Sequence, residues 1–541
     1  MRQFNGNIGI WLFDKTTTIL KWNRVVINLV GFAVFALMIA RYGFNYEKDL
    51  SHFWVLSIRV FYGMYVFNYL FRLLLARKRW TFFKEQWFES GLFILILFNA
   101  ISYFVFSISH LQKIAPVDGK LYEFLLLLLL LIMAFIEFVK SLNFITSSKI
   151  KPTTLFISSY FLLIGIGAGL LMLPGFNVKY VFLDFYDALF ISTSATCITG
   201  LSTLTIIDTF NFKGQVLILI LFQIGGIGIL TFASFFATFI RKGLGIKHQI
   251  MMNELFDNDS ISGSFALLKR ILILLFGIEI IGVVAMMLLW GDYPFDSFQQ
   301  KLFYSIFHTV SAFCNAGFSL FENGFENAGI QNSHLLQWLI IGLVILGSLG
   351  FPSLRDIFSP RRLRERVKMP WKGWKTSTKI SVYTSAALLV VGMIAFYFLE
   401  LKNQPTIQNG LNSLTLATFQ SVNLRSGGMS AISLENIAPP LIMICMFLMF
   451  VGGGSSSLAG GIKTSTFIVT LTAIISTIRG RKEATLGRRT ISNELTYRAF
   501  AVILFSGNFV LITTTILSFT ENDIPFLKLA FECVSAFGNC G

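Results

Sequence analysis

Runs of about 20 apolar residues recur along this chain, and each is long enough to cross the ~30 Å hydrocarbon core of a bilayer as a helix. "VVINLVGFAVFALMIA" and "FLLLLLLLIMAFIEFV" are the cores of two of them. In lipid no backbone N–H or C=O can be left unpaired, so such runs must be helical wherever they span. Of the 541 residues, 55% are hydrophobic and only 13% charged, too little polar surface for a soluble chain of this length. The sequence is that of a polytopic membrane protein.

Its net charge of +16 raises the question of nucleic acid. The bases answer it, because they gather after apolar runs: Arg241, Lys242 and Lys247; then Arg355, Arg361, Arg362, Arg364, Arg366 and Lys368; then Arg479, Arg481, Lys482, Arg488 and Arg489. Lysine and arginine mark cytoplasmic loops, so no nucleic-acid partner is expected. The opposite loops carry Asp184, Asp187, Asp208, Asp292, Asp296, Glu322, Glu326, Glu521 and Asp523. That acidity either attracts cations or is plain topological bias. The first apolar run follows Lys15, Lys21 and Arg24 and lacks a small-residue cleavage site, so it reads as a span with its N-terminus inside rather than a signal peptide.

Residues 1–150 read as four plain spans, near 24–41, 53–76, 87–109 and 122–144. Their number invites comparison with a voltage sensor, but the fourth span lacks the arginines at every third position that gating charge requires. A packing or dimerisation module is the better reading. Glu137, inside that span, is either a functional intramembrane acid or the partner of Lys140.

After residue 150 a unit recurs four times: long span, outer polar stretch, short apolar segment, glycine loop, long span. The loops read "SATCITGLS", "SAFCNAGFS", "SVNLRSGGMS" and "SAFGNCG". Ser194, Ser311 and Ser535 precede Gly200, Gly317 and Gly541 by the same interval. Non-helical backbone at membrane depth is tolerated only when buried in protein or lining a watery cavity. A re-entrant helix too short to cross, followed by a glycine free to adopt positive φ, can aim carbonyl oxygens at one axis and replace a cation's hydration shell. The short segments from Leu189, Phe303, Leu414 and Leu527 are the candidate re-entrant helices. Close packing of helices through small residues is the competing explanation, and four loops in register weigh against it.

With these loops quoted, residues from about 152 onward resemble the Trk/Ktr/HKT superfamily of potassium transport subunits, especially the Ktr-type membrane subunit. The resemblance implies an all-α polytopic membrane protein with four membrane-pore-membrane repeats around a pseudo-fourfold pore, preceded here by about four extra transmembrane helices. The expected divisions are 1–150, 151–250, 251–370, 371–490 and 491–541. The expected K+ filter comprises Thr196, Cys197, Ile198, Thr199 and Gly200; Asn315, Ala316 and Gly317; Arg425, Ser426, Gly427 and Gly428; and Asn539, Cys540 and Gly541. In the third loop, alignment on the arginine selects Gly428 as the filter glycine, whereas counting from Ser421 favours Gly427; the arginine alignment is preferred. Relatives with serine at the first filter glycine tend towards sodium, so Gly200 favours potassium, with Na+ open as a coupling or activating ion.

The stretch "GGGSSSLAGGIKTSTF" carries a second part of the resemblance. It fails as a phosphate-binding loop, because Ile462 separates Gly461 from Lys463 and no strand precedes it. Lying between apolar runs, it must break a helix inside the bilayer. The resemblance implies a gating loop under the filter, with Gly452, Gly453, Gly454, Ser455, Ser456, Ser457, Gly460, Gly461 and Lys463 as its residues. Lys463 would there repel a cation or pair with an acid, and a simple helix kink is the plainer alternative. The resemblance also implies a homodimer in a bacterial plasma membrane, surrounded by lipid and regulated by a cytosolic nucleotide-binding subunit. The chain stops inside its fourth loop, and an open ring would leak, so an incomplete sequence is expected.

Cys197, Cys314, Cys445, Cys533 and Cys540 form no C-x-x-C pair, and the five histidines show no metal-ligand spacing. No nucleophile, base and acid set suggests an enzyme. The alternatives to a potassium pore are a carrier for sodium or another monovalent cation and a non-conducting membrane sensor.

Overall fold

The computed structural model describes residues 25–44, 51–75, 79–108, 152–228, 264–322 except 292, 333–400 except 370 and 372, 410–432, and 437–541 except 456, 482, 487 and 488, with residues 23, 129, 132, 133, 324, 325 and 434. Glu137, Lys140, Ser456 and the basic loop holding Arg241, Lys242 and Lys247 lie outside the described residues.

The N-terminal module supplies α1 (Val25–Gly43), α2 (Ser51–Leu75), the short α3 (Arg79–Glu85) and α4 (Trp87–Ile108). Helices α1, α2 and α4 lie where the first three spans are expected, and of these α1 is long and apolar enough to cross a membrane; of the fourth, only residues 129, 132 and 133 are described. Ile27, Val34, Tyr65, Leu92, Ile96 and Met133 form a core separate from that of the repeats. Within it Arg72 pairs with Glu89 at 2.6 Å and Tyr69 donates to Ser90 at 2.7 Å. Mutual satisfaction is what lets such groups lie between apolar helices. The end of α1 meets the first repeat: a Cβ on Gly175 would fall 2.0 Å from the Tyr42 carbonyl oxygen, so this contact admits only glycine.

The stretch expected as repeat one holds α5 (Pro152–Leu171), α6 (Phe185–Cys197), the one-turn α7 (Ile206–Thr209) and α8 (Phe212–Ile227), and the stretches expected as repeats two, three and four follow it. Repeat two runs through α9 (Ser264–Leu289), α10 (Phe298–Cys314) and α11 (His334–Ser348), continuing into α12 (Phe351–Phe358) and α13 (Pro360–Lys368). Repeat three comprises α14 (Thr376–Leu399), α15 (Gly410–Val422), α16 (Pro439–Phe450) and α17 (Thr464–Ile478). Repeat four has α18 (Asn493–Thr520) and α19 (Phe526–Gly538).

The short helices α6, α10, α15 and α19 are the re-entrant candidates; each starts one to five residues before its expected position. Asp184 caps α6 by accepting from Phe185 N, and Ser297 caps α10 through Gln300 N at 3.2 Å. These side chains satisfy N–H groups that would otherwise be orphaned. By contrast α9, α14 and α18 are long and apolar enough to span, and α18 turns Leu504, Phe505 and Phe519 outwards, as lipid contact requires.

Two features depart from plain spans. The path from α11 to α12 bends by 110°, at Gly350 with φ 85° followed by Pro352, which disrupts the helical hydrogen bonding there. Thr485–Leu486 and Arg489–Thr490 form a small antiparallel hairpin in the basic loop before α18.

Candidate functional site

Three of the glycine loops begin alike. Helices α6, α10 and α19 end on a left-handed non-glycine residue: Ile198 at φ 60°, Asn315 at 58° and Asn539 at 50°. Left-handed backbone costs an L-residue about 1–2 kcal/mol, and local hydrogen bonds offset that cost. Thr199 N donates to Ser194 O at 2.8 Å, Ala316 N to Ser311 O at 2.8 Å and Cys540 N to Ser535 O at 3.0 Å. Two residues beyond each cap lies a glycine, also at positive φ: Gly200 at 81°, Gly317 at 75° and Gly541 at 66°.

The third loop reaches the same point differently. Its serine-to-glycine interval, Ser421 to Gly428, is one residue longer. A π-helical turn over Asn423–Gly427 absorbs the extra residue, and Gly428 N donates to Asn423 O at 3.0 Å. Gly428 takes φ 70°, whereas Gly427 stays in the π turn with its α-carbon beside the Asn423 side chain.

The four glycines converge. A Cβ on Gly200 would lie 3.0 Å from Gly317 Cα and 3.1 Å from Gly541 Cα; one on Gly317 would lie 3.1 Å from Gly428 Cα; one on Gly428 would lie 2.7 Å from Gly317 Cα; one on Gly541 would lie 3.1 Å from Gly428 Cα. The hinges therefore form a closed ring in which each touches its neighbours, and a side chain on any of them would press on the next. The C-terminal ends of α6, α10 and α19, which carry partial negative charge, meet at this ring. Backbone dipoles of this kind attract a cation without a formal countercharge.

Other expected site residues have different neighbours. The Thr196 carbonyl abuts α8, where a Cβ on Gly225 would come within 2.1 Å of it, and the Phe313 carbonyl meets Gly347 of α11 at 2.0 Å in the same way. Cys197 O accepts Asn539 Nδ2 at 2.9 Å, a bond that joins loops one and four. The Arg425 side chain reaches α14 and the intramembrane break. Its Nη2 donates to Gly452 O at 2.7 Å and its Nη1 to Ser385 O at 3.3 Å.

That first bond leads to the break between α16 and α17, where the glycine- and serine-rich stretch crosses the interior. Gly452 N donates to Ile462 O at 3.0 Å and Ile462 N to Phe450 O at 3.0 Å, so the loop closes on itself. Gly454 N donates to Ser348 O at 2.7 Å and Leu458 N to Gly347 O at 3.3 Å, anchoring it to the end of α11. A Cβ on Gly460 would lie 2.4 Å from Gly538 O, at the base of loop four. Ser455 and Ser465 hydroxyls are 2.7 Å apart. Lys463 faces no acid among the described residues; its Nζ donates to Ala459 O at 2.5 Å. The segment thus contacts elements of repeats two, three and four.

Two side-chain sets were not anticipated. Gln223 of α8 donates through Nε2 to both Glu279 carboxyl oxygens of α9, at 2.9 and 3.1 Å, while Cys314 Sγ donates to Gln223 Oε1 at 3.5 Å. A buried membrane acid is thereby linked to loop two. The available signal was Glu279 itself, the acid in an otherwise apolar run. His308, fully buried in α10, accepts Leu320 N at Nε2 at 3.2 Å and faces Tyr304 O with Nδ1 at 2.8 Å. The ring is therefore neutral with its proton on Nδ1, and it holds the outgoing limb of loop two. All five cysteines are free thiols, and no cluster of metal-binding side chains occurs among the described residues.

Comparison with known proteins places this geometry in context. Residues 130–541 match the TrkH family model, described as cation transport protein. The Ktr system potassium uptake protein B of Bacillus subtilis is 35% identical over 396 residues, covering 73% of this chain and 85% of that protein. The potassium/sodium uptake protein NtpJ of Enterococcus hirae is 33% identical, with coverage of 73% and 85%. The crystal structure of the potassium transporter TrkH from Vibrio parahaemolyticus superposes with a TM-score of 0.55 at 15% identity, over 90% of this chain and 88% of that one.

Proposed function

Because this chain belongs to the TrkH family of cation transport proteins, we propose that it takes up K+ through a pore whose selectivity resides in the ring of Gly200, Gly317, Gly428 and Gly541. It is a multi-pass membrane transporter of that family and not an enzyme. The observation that carries the proposal is the mutual contact of four positive-φ glycines contributed by four separate loops. Carbonyls flanking such hinges replace the water stripped from a cation, and the absence of side chains leaves room for it. In this reading Ile198, Thr199, Asn315, Ala316, Asn539 and Cys540 supply backbone oxygens beside the ring, and the third loop contributes Ser426, Gly427 and Gly428.

The Gly452–Lys463 stretch acts as the gate. Its contacts with loops from three repeats support that role, since a segment so placed must shift before an ion can pass beneath the ring. The relatives named as parts of a Ktr system suggest a cytosolic regulatory subunit that works this gate, with the pore subunit acting as a dimer. NtpJ, named for both potassium and sodium, favours a role for Na+ as coupled or competing ion.

The test is ion uptake in cells stripped of their own potassium importers. Serine at Gly317 must adopt φ 75° and place its Cβ 3.1 Å from Gly428 Cα. The expected outcome is a fall of about tenfold in preference for K+ over Na+, equivalent to ~1.4 kcal/mol. Unchanged preference in a well-expressed variant contradicts the filter.

A further inference from the structure

We propose that α13, together with Trp371, binds anionic lipid headgroups at the cytoplasmic surface of the membrane. The segment joins α11 to α14 on the side marked by the heaviest run of bases. After its 110° bend the chain leaves the direction of α11, and it re-enters a spanning helix at Thr376. Trp371 and Trp374, interleaved with Lys375 and Lys379, immediately precede and open that helix. Tryptophan with flanking lysine is the usual composition of the headgroup level, which puts α13 within a few residues of the lipid boundary.

One buried carboxylate fixes which way α13 faces. Asp356 of α12, 2% exposed, pairs with Arg362 and, at 3.0 Å, with Arg366, and also accepts Lys375 N at 2.9 Å. The arginines lie four residues apart and so share one stripe of α13. Pinning that stripe inwards leaves two adjoining stripes facing out: Leu363 with Val367, and Arg364 with Lys368. Val367 is 83% exposed and Trp371 82%. A linker facing only water gains nothing by presenting valine and tryptophan beside arginine and lysine. The same set suits an interface where apolar atoms enter the acyl boundary and basic heads reach phosphates. Asp356 holds Arg362 and Arg366, so Arg364 and Lys368 are the bases on the outer stripes that select anionic over zwitterionic headgroups.

The full chain carrying a nitroxide on Val367→Cys, reconstituted in nanodiscs of phosphatidylcholine alone or with phosphatidylglycerol, tests this. Collision rates with oxygen and with a water-soluble nickel chelate report whether the label is in lipid or water. In anionic discs the ratio of oxygen to chelate collisions is expected to rise. Adding Arg364→Glu and Lys368→Glu should reverse the rise, since each base near an anionic surface contributes about fivefold to partition. Trp371→Ser, which keeps the charges, should lower the ratio by a smaller factor. A ratio that is equal in the two lipid compositions, or that ignores the charge reversal, overturns the proposal; that is the result if a soluble protein or a second copy covers this face.

Discussion

Loops two and three hold their ring glycines in nearly the same conformation, φ 75° and 70°, yet they are built differently. Loop two follows the six-residue interval, and the position three before its glycine is Cys314, a small residue linked to Gln223. Loop three has one residue more, a π turn, and at the matching position Arg425, bonded to Gly452. The ring point is held constant, while the route to it changes. Arg425 gives loop three a direct strap to the intramembrane segment, whereas Gly347 and Ser348 at the end of α11 supply the contact from the stretch that follows loop two. A quasi-symmetric ring can therefore be asymmetric in what it is tied to.

Breaking the comparison at the glycines should have the largest effect. Gly428→Ala must place its Cβ 2.7 Å from Gly317 Cα and 2.8 Å from Cys540 O, whereas Gly427→Ala meets the Asn423 side chain at 2.2 Å. The first should abolish selective K+ uptake; the second should lower thermal stability, by about 1–3 kcal/mol for overpacking, with ion preference retained. Parallel uptake and unfolding measurements on the two variants separate ring from support.

Arg425→Met comes next. It keeps most of the volume but leaves the Gly452 and Ser385 carbonyls without their charged donor, a loss of roughly 2–4 kcal/mol for a buried group of this kind. Cys314→Ala, at the matching position, removes one weak thiol bond and should cost about 1 kcal/mol. Melting curves of the purified variants check the ranking; equal losses would mean that the strap adds nothing.

Asn539→Ala sharpens a second asymmetry, because it breaks the bond to Cys197 O and places alanine at φ 50°. Asparagine tolerates that backbone better than alanine does, so about 1–2 kcal/mol should be lost, read as a lower unfolding midpoint. The smallest effect is expected at Ser426. Its hydroxyl is buried without a hydrogen-bond partner among the described residues, so Ser426→Ala should leave stability within about 0.5 kcal/mol; a larger drop would reveal a contact at that hydroxyl.

Much of this architecture was legible because membrane backbone is so constrained. Where lipid forbids unpaired carbonyls, a glycine-rich interruption such as Gly452–Gly461 can only be interior, and the four loops stood out by composition. The π turn was harder to read. The sequence offers two registers for loop three, and alignment on the arginine prefers Gly428; what it does not show is that the one-residue excess is stored as an i→i+5 bond. Gly350 and Pro352 signalled the break after α11, although neither residue alone distinguishes a kink from a 110° turn. Glu279 and Gln223 lie 56 residues apart, and nothing in periodicity pairs them. The Lys463 contact illustrates a further limit: both expectations for that cation concerned charge, whereas its partner is a backbone carbonyl.

Locating the ion decides whether the glycine ring is the filter. Crystals of the uptake-competent protein grown with Tl+ in place of K+ would give an anomalous signal at any site that holds a desolvated alkali-like cation. A peak is expected on the axis enclosed by Gly200, Gly317, Gly428 and Gly541, shared among the oxygens of all four loops and lost in Gly428→Ala. A peak confined to the acidic outer surface, with an empty axis in protein that still transports, would contradict it.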